Sequence, residues 1–300
     1  MKVSVIDIGS NTVKATIFKI SNKGKRSVLC HKGFKSKLIT YVEEREGKRF
    51  LNDMGEAELY RAVSELIDFS QANSCKSVYA FATASLRNIE NSKEIVQQLN
   101  ERFSLQVEVL AGEEEALCSL RGLLTDAETE YIQEGIMIDM GGGSTEIVYF
   151  TNGELPKLIS LPFGCLSLYE RFVGENIPDE RETEQIENYV RAELEKCKYI
   201  RNLNVPVFLI GGSGRAVSKI INSSTGKKSL RSDGSDFTKV LEKFKDADYL
   251  SKAEEIIPGR ALTVCPASIA YRTIVRLVRP TSITVSNSGV REGYLEKILP

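Results

Sequence analysis

Short apolar blocks at residues 3–8, 13–20 and 27–33 have the length and spacing of three successive strands, the last two joined by the polar run Ser21–Arg26. A helical period follows: Leu59, Val63, Leu66 and Ile67 share one face and predict a helix over about 54–72, opened by Asp53 with Glu56 as a capping box. Residues 77–82 form a compact apolar strand. Asn91 with Glu94 opens a helix carrying Ile95, Val96, Leu99 and Phe103; residues 105–110 read as a strand, and Gly112 opens a helix through Leu124. Residues 35–48 are rich in charge and show no period. The order is β-β-β-α-β-α-β-α.

The second half repeats it. Strands are predicted at 136–140, 145–151 and 156–161, helices at about 164–173 and 182–200, a strand at 206–210 and a helix from 214 to about 221. Residues 266–278 read as a helix, 282–286 as a strand and 291–299 as a closing helix, with a polar insertion over about 222–260. The expectation is an α/β protein of two domains, 1–124 and 125–290, with the C-terminal helix, about 291–300, within reach of the first.

The duplication also shows in a motif. Ile138-Asp139-Met140-Gly141-Gly142-Gly143-Ser144-Thr145-Glu146 reads as strand, bare glycine turn, strand, and Ile6-Asp7-Ile8-Gly9-Ser10-Asn11-Thr12 has the same grammar. Aligning Asp7 with Asp139 also aligns Gly9 with Gly141 and Thr12 with Ser144. Turns of this kind let amide N–H groups converge on an anion, and the adjacent Asp can hold the accompanying cation. Asp139 and Glu146 flank the second turn, and their hard oxygens suit Mg²⁺. Gly212-Ser213-Gly214, ahead of a helix, makes a third candidate anion cradle. Arg87 stands just past a strand end, where a guanidinium fork matches a phosphate.

Composition narrows the partners. Forty basic and forty-one acidic residues give a net charge of -1, so nothing global favours nucleic acid or an anionic membrane. No apolar run approaches the ~18 residues of a span, and Asp7 interrupts the first apolar stretch, so a cytoplasmic protein is expected. Six scattered cysteines read as buried thiols. A single His31 argues against a His-based triad or metal cluster.

Six motifs in order carry a closer likeness: Asp7–Thr12, Ala82–Ser85 with Arg87, Gly112–Ala116, Asp139–Glu146, Gly211–Gly214 and Ser288–Gly293. Together they resemble the exopolyphosphatase and guanosine pentaphosphate phosphatase family, within the actin, heat-shock chaperone and sugar kinase superfamily. The resemblance implies two actin-like (ribonuclease H-like) domains with the active site in the cleft between them, a Mg²⁺ cofactor (Mn²⁺ as substitute) on Asp139, Glu146 and Asp7, and a homodimer. It places the general base in Gly-x-Glu-Glu-Ala, at Glu115, with Glu114 second; Glu113 and Glu114 also complement the helix dipole. A carboxylate raised in pKa by burial can accept the proton of an attacking water. Phosphate binding falls to Arg87, to Gly9, Ser10, Asn11 and Thr12, to Gly141, Gly142, Gly143, Ser144 and Thr145, and to Gly212 and Ser213.

The implied reaction is release of terminal phosphate from inorganic polyphosphate, or alternatively of the 5′-phosphate of guanosine pentaphosphate (pppGpp). A small-molecule kinase and a non-catalytic nucleotide-binding module are the remoter readings. Lys227, Lys228 and Arg231, with Lys32, Lys35 and Lys37, are candidates for guiding a long polyanion. The chain departs from the family pattern at Ser36–Glu44 and at Leu262, where an acidic residue commonly follows Arg-Ala. With its end at Pro300, the chain is expected to lack the C-terminal helical domain of longer members.

Overall fold

The structure, a computed structural model, describes residues 1–125, 132–175, 177–223, 229–230, 234–246 and 248–299. The chain divides into two units, Met1–Glu115 and Ala116–Pro300. The division falls inside a helix, Gly112–Leu124, where the sequence pattern sets it at that helix's end.

In the first unit β1 (Lys2–Ile8), β2 (Val13–Ile20) and β3 (Arg26–Phe34) form an antiparallel run. A 3₁₀ turn (Leu38–Tyr41) and a small hairpin, β4 (Val42–Arg45) with β5 (Lys48–Leu51), occupy the charged stretch that showed no period. Then come α1 (Asp53–Ala72), β6 (Ser77–Ala82), the single turn α2 (Ala84–Arg87), α3 (Ser92–Phe103), β7 (Val107–Val109) and α4 (Gly112–Leu124). The sheet order is β3-β2-β1-β6-β7, with β1, β6 and β7 parallel. Leu59, Val63 and Leu66 of α1 are wholly buried and pack with Ile6, Ile8 and Val13, each burial worth roughly 1.5–3 kcal/mol.

One expected cap moves by a residue, and a second keeps its place with its side chain turned elsewhere. The N-cap of α1 is Asn52, whose side chain accepts from the Gly55 amide. Glu56 accepts instead from Asn91 and from Tyr60. Asn91 stands at the N-cap of α3, as expected, but its side chain bonds the backbone N–H and C=O of Leu51, closing the edge of β5, and leaves the first turn of α3 uncapped by it.

The second unit holds the rest of α4, then β8 (Glu134–Met140), β9 (Thr145–Thr151), β10 (Lys157–Leu161), α5 (Cys165–Phe172) and α6 (Glu180–Leu194). A 3₁₀ stretch continues α6 through Ile200, kinked at Cys197, where a single helix was expected. β11 (Val207–Ile210) leads into α7 (Gly211–Asn222), which starts three residues earlier than predicted and takes Gly211, Gly212 and Ser213 into its first turn. The polar insertion contains β12 (Ser229–Leu230), α8 (Ser235–Lys243) and α9 (Tyr249–Ile256). The largely buried α10 (Val264–Val278), β13 (Ile283–Val285) and α11 (Val290–Ile298) complete the unit. Pro266 is tolerated in the first turn of α10, where its missing N–H has no intrahelical acceptor.

The second sheet runs β10-β9-β8-β11-β13-β12. Its first five strands repeat the order and directions of the first sheet, and β12 adds an antiparallel edge. α11 clusters with this unit, pressed against α4: a Cβ on Gly293 would stand 1.7 Å from the Cys118 carbonyl oxygen, and one on Gly122 would stand 2.0 Å from that of Gly289. All six cysteines are free thiols, four of them buried. No helix among the described residues is long and apolar enough to cross a membrane.

Candidate active site

In the first unit Asp7 is the penultimate residue of β1, and the hairpin after it closes through the Gly9 amide on the Thr12 carbonyl (3.2 Å). The carbonyls of Ser10 and Asn11 accept from Ile39 and Lys37, so the 3₁₀ turn backs this loop. Because a trans peptide aims its N–H opposite its C=O, the amides of Asn11 and Thr12 face away from that turn. The divergent segment Ser36–Glu44 thus supports the loop through its backbone.

The second hairpin is built alike. The Gly141 amide bonds the Ser144 carbonyl (2.9 Å), and the carbonyls of Gly141 and Gly142 accept from Cys165, Leu166 and Ser167 at the start of α5. Gly142 and Gly143 therefore turn their N–H groups away from α5. Thr145 donates to the Phe163 carbonyl (2.6 Å), which fixes the strand leaving the turn.

Asp139 and Glu146 are directly opposite in the antiparallel register of β8 and β9, so both carboxylates stand on one face of the sheet. Asp139 is 8% exposed and Glu146 1%. Like charges placed so oppose folding unless something neutralises them. Ser119 of α4 donates to Asp139 Oδ2 (2.8 Å) and Ser160 of β10 donates to Glu146 Oε1 (2.8 Å). Burial pushes the Asp139 carboxyl above its ordinary range, against the downward pull of Ser119, Arg215 and Arg291. Arg215 is pushed down to about 10, chiefly by burial and then by Arg291. The motif search missed these two arginines as neighbours of Asp139, because only the fold brings α7 and α11 to the end of β8.

Gly211, left-handed at φ 77°, leaves room for Asp139: a Cβ there would lie 2.3 Å from Oδ1. Gly212 similarly gives space to the Arg260 guanidinium. Ser213 is 3% exposed, and its Oγ has no hydrogen-bond partner among the described residues.

Among the described residues no group of three or more His, Cys, Asp or Glu side chains is spaced to hold a metal ion. Mg²⁺ asks for less, one or two carboxylates plus waters and phosphate oxygens, and the opposed, buried Asp139 and Glu146 fit that need. Asp7, the third expected ligand, lies in the first unit, opposite Lys14 in the register of β1 and β2.

Arg87 ends α2, and its Nη1 donates to Glu115 Oε2 at 2.8 Å and to the Leu110 carbonyl at 3.1 Å. It ties the loop after β6 to the first turn of α4. Both partners are largely enclosed, with side-chain exposures of 16% and 9%. On its other side Arg87 borders an open groove of about 870 Å³, walled by Ile89, Lys93, Val96, Gln97 and Val109.

The three successive glutamates separate cleanly. Glu113 and Glu114 are exposed, and Glu114 reaches back to the Ala111 amide (3.2 Å) as a helix-start partner; Glu115 alone is buried. Lys32 pairs with Glu65 (3.5 Å), while Lys35 and Lys37 are exposed. Lys227, Lys228 and Arg231 lie outside the described residues.

Known proteins share this architecture. An exopolyphosphatase from Cytophaga hutchinsonii aligns with a TM-score of 0.85 at 21% identity, covering 100% of this chain and 98% of that one. The Aquifex aeolicus Ppx/GppA family member aligns with a TM-score of 0.80 at 23% identity, covering 100% and 98%. In sequence, Exopolyphosphatase 1 of Mycobacterium tuberculosis (strain ATCC 25618 / H37Rv) is 24% identical over 195 residues, 65% of this chain and 55% of that protein. The chain thus spans about half the length of the curated relatives it matches. The sequence pattern of the Ppx/GppA phosphatase family matches residues 16–300, nearly the whole chain, and the protein belongs to that family.

Proposed function

We propose that the protein is a Mg²⁺-dependent exopolyphosphatase that hydrolyses the terminal phosphoanhydride of inorganic polyphosphate. The observation that carries this reading is the buried, directly opposed pair Asp139 and Glu146 beside a turn whose amides face outward. Such a pair calls for a cation, and such a turn for an anion. Family membership and relatives named exopolyphosphatase support polyphosphate as the substrate.

In this mechanism Glu115, held by Arg87, takes the proton of the attacking water. Glu115 is preferred to Glu114, whose carboxylate is occupied at the helix start. Phosphate oxygens are assigned to Arg87 in the first unit and to the amides of Gly142 and Gly143 in the second. The amides of Asn11 and Thr12 serve a phosphate in the same way. Mg²⁺, when held by Asp139 and Glu146, neutralises phosphate charge. Nothing covalent is required.

The test is release of inorganic phosphate from long-chain polyphosphate, guanosine pentaphosphate and ATP in parallel, with and without Mg²⁺, by the native chain and Glu115→Gln. Mg²⁺-dependent release from polyphosphate that drops about 100-fold or more in the variant is expected. Preference for guanosine pentaphosphate would move the substrate and leave the chemistry standing. A variant at full rate would remove Glu115 from it.

A further inference from the structure

One turn beyond Glu115, α4 carries Ser119, a residue outside every repeated motif and 0% exposed. Its hydroxyl donates to Asp139 Oδ2 at 2.8 Å. The other oxygen, Oδ1, is seated against the bare backbone of Gly211. A donor on one oxygen and a glycine slot beside the other leave the carboxylate little freedom to rotate. α4 has no slack to follow it, because Gly122 and Gly293 hold its backbone against that of α11 on both sides of Ser119.

We infer that Ser119 is a positioning residue, fixing the plane of the Asp139 carboxylate so that it meets the cation already oriented. The inference rests on Asp139 being a metal ligand in the proposed function. Groups that orient a ligand in this way commonly govern metal affinity as strongly as the ligand's surroundings do. A serine that only satisfies a buried acid would affect stability and leave metal affinity alone.

The experiment is Mn²⁺ binding to the full chain, read from the electron paramagnetic resonance of free Mn²⁺, for the native protein and Ser119→Ala, Ser119→Thr and Ser119→Val. Threonine and valine share a shape and differ by one hydroxyl, so any crowding in this buried site is common to both. Ala and Val should weaken Mn²⁺ about 10- to 100-fold, while Thr stays within about 3-fold of native. For Ser119→Ala, phosphate release should recover at saturating Mg²⁺ with an unchanged KM for polyphosphate. Equal Mn²⁺ affinity in the Thr and Val variants overturns the inference. Asp139→Asn distinguishes the two ways of failing. If it binds Mn²⁺ like the native protein, Asp139 is no ligand and the parent reading falls too. If it loses Mn²⁺ while Ser119→Val retains it, only the role of Ser119 falls.

Discussion

The two units present the same hairpin with opposite electrostatics. In the first, Asp7 stands opposite Lys14; in the second, Asp139 stands opposite Glu146, at the same seven-residue spacing and the same register. The turn closes alike in both, and in both its carbonyls are bound from behind. One copy therefore meets its acid with a lysine, and the other sets two buried carboxylates face to face. An antiparallel pair normally avoids like charges directly opposite. In the function proposed above, a cation arriving with the ligand would balance the pair in the second unit. The lesson is that a duplicated backbone can carry different chemistry: the turns close alike, and the residue seven positions after the aspartate, Lys14 or Glu146, sets the charge of each hairpin.

The largest effect should come from erasing that difference. Glu146→Lys gives the second hairpin the charge pattern of the first, and Mg²⁺-dependent phosphate release should fall by more than about 100-fold. Circular dichroism checks that the fold survives the exchange, for which Lys14, at the same register position of the first hairpin, is the precedent. Undiminished Mg²⁺-dependent release by the lysine variant would end the assignment of metal to this pair.

A smaller effect is expected from the residue that follows the fourth strand of each sheet. That residue is Thr83 after β6 and Gly211 after β11. The second unit needs glycine there for two reasons, its left-handed backbone and the close approach of Asp139 Oδ1. Gly211→Ala should cost about 1–2 kcal/mol from the backbone alone, lowering the melting temperature by roughly 2–8 °C. It should also raise the Mg²⁺ requirement about 10-fold by displacing the carboxylate. Thr83→Ala should do neither. A Gly211→Ala protein with native Mg²⁺ dependence would show that the slot is incidental.

Much of this comparison was legible before the fold. The strand order of both halves, the Asp-Gly loops and the separation of Asp139 from Glu146 all follow from apolar periodicity and a visible repeat. The opposition of Lys14 to Glu146 was equally available, since both lie seven residues after the aspartate. Other features depend on contacts distant along the chain. Ser119 and Ser160 meet the carboxylates only through the packing of α4 on β8 and the register of β10 on β9. The capping box at Asp53 misled, because Asn52 has the better reach to Gly55; Asn91 does open α3, and what the pattern could not show is that Leu51 takes its side chain. The short hairpin β4–β5 carries few apolar residues, so its period was hidden. Glu114 and Glu115 look equivalent in sequence, and only helix phase separates an exposed capping residue from a buried partner of Arg87.

The smallest expected effect reads the buried charge directly, in metal-free protein. Burial raises the Asp139 carboxyl above its ordinary value of 3.8. Across the window from that value up to the raised one, the native state keeps a proton that the unfolded chain has released. Stability must therefore fall as pH rises through the window, and below it the contribution is fully present. Asp139→Asn removes this titration and leaves an uncharged side chain of the same shape. Melting curves at pH steps from about 4 to 8, with chelator, should show the native protein losing more stability on the alkaline side than the variant, by a few degrees at about 2–4 °C per kcal/mol. Mg²⁺ should restore the native protein at neutral pH and leave Asp139→Asn unmoved, because only the native hairpin still has two opposed charges to neutralise. Parallel pH curves for the two proteins would mean that the Arg215 and Arg291 guanidinium groups already balance Asp139, and that the second hairpin needs a cation no more than the first does.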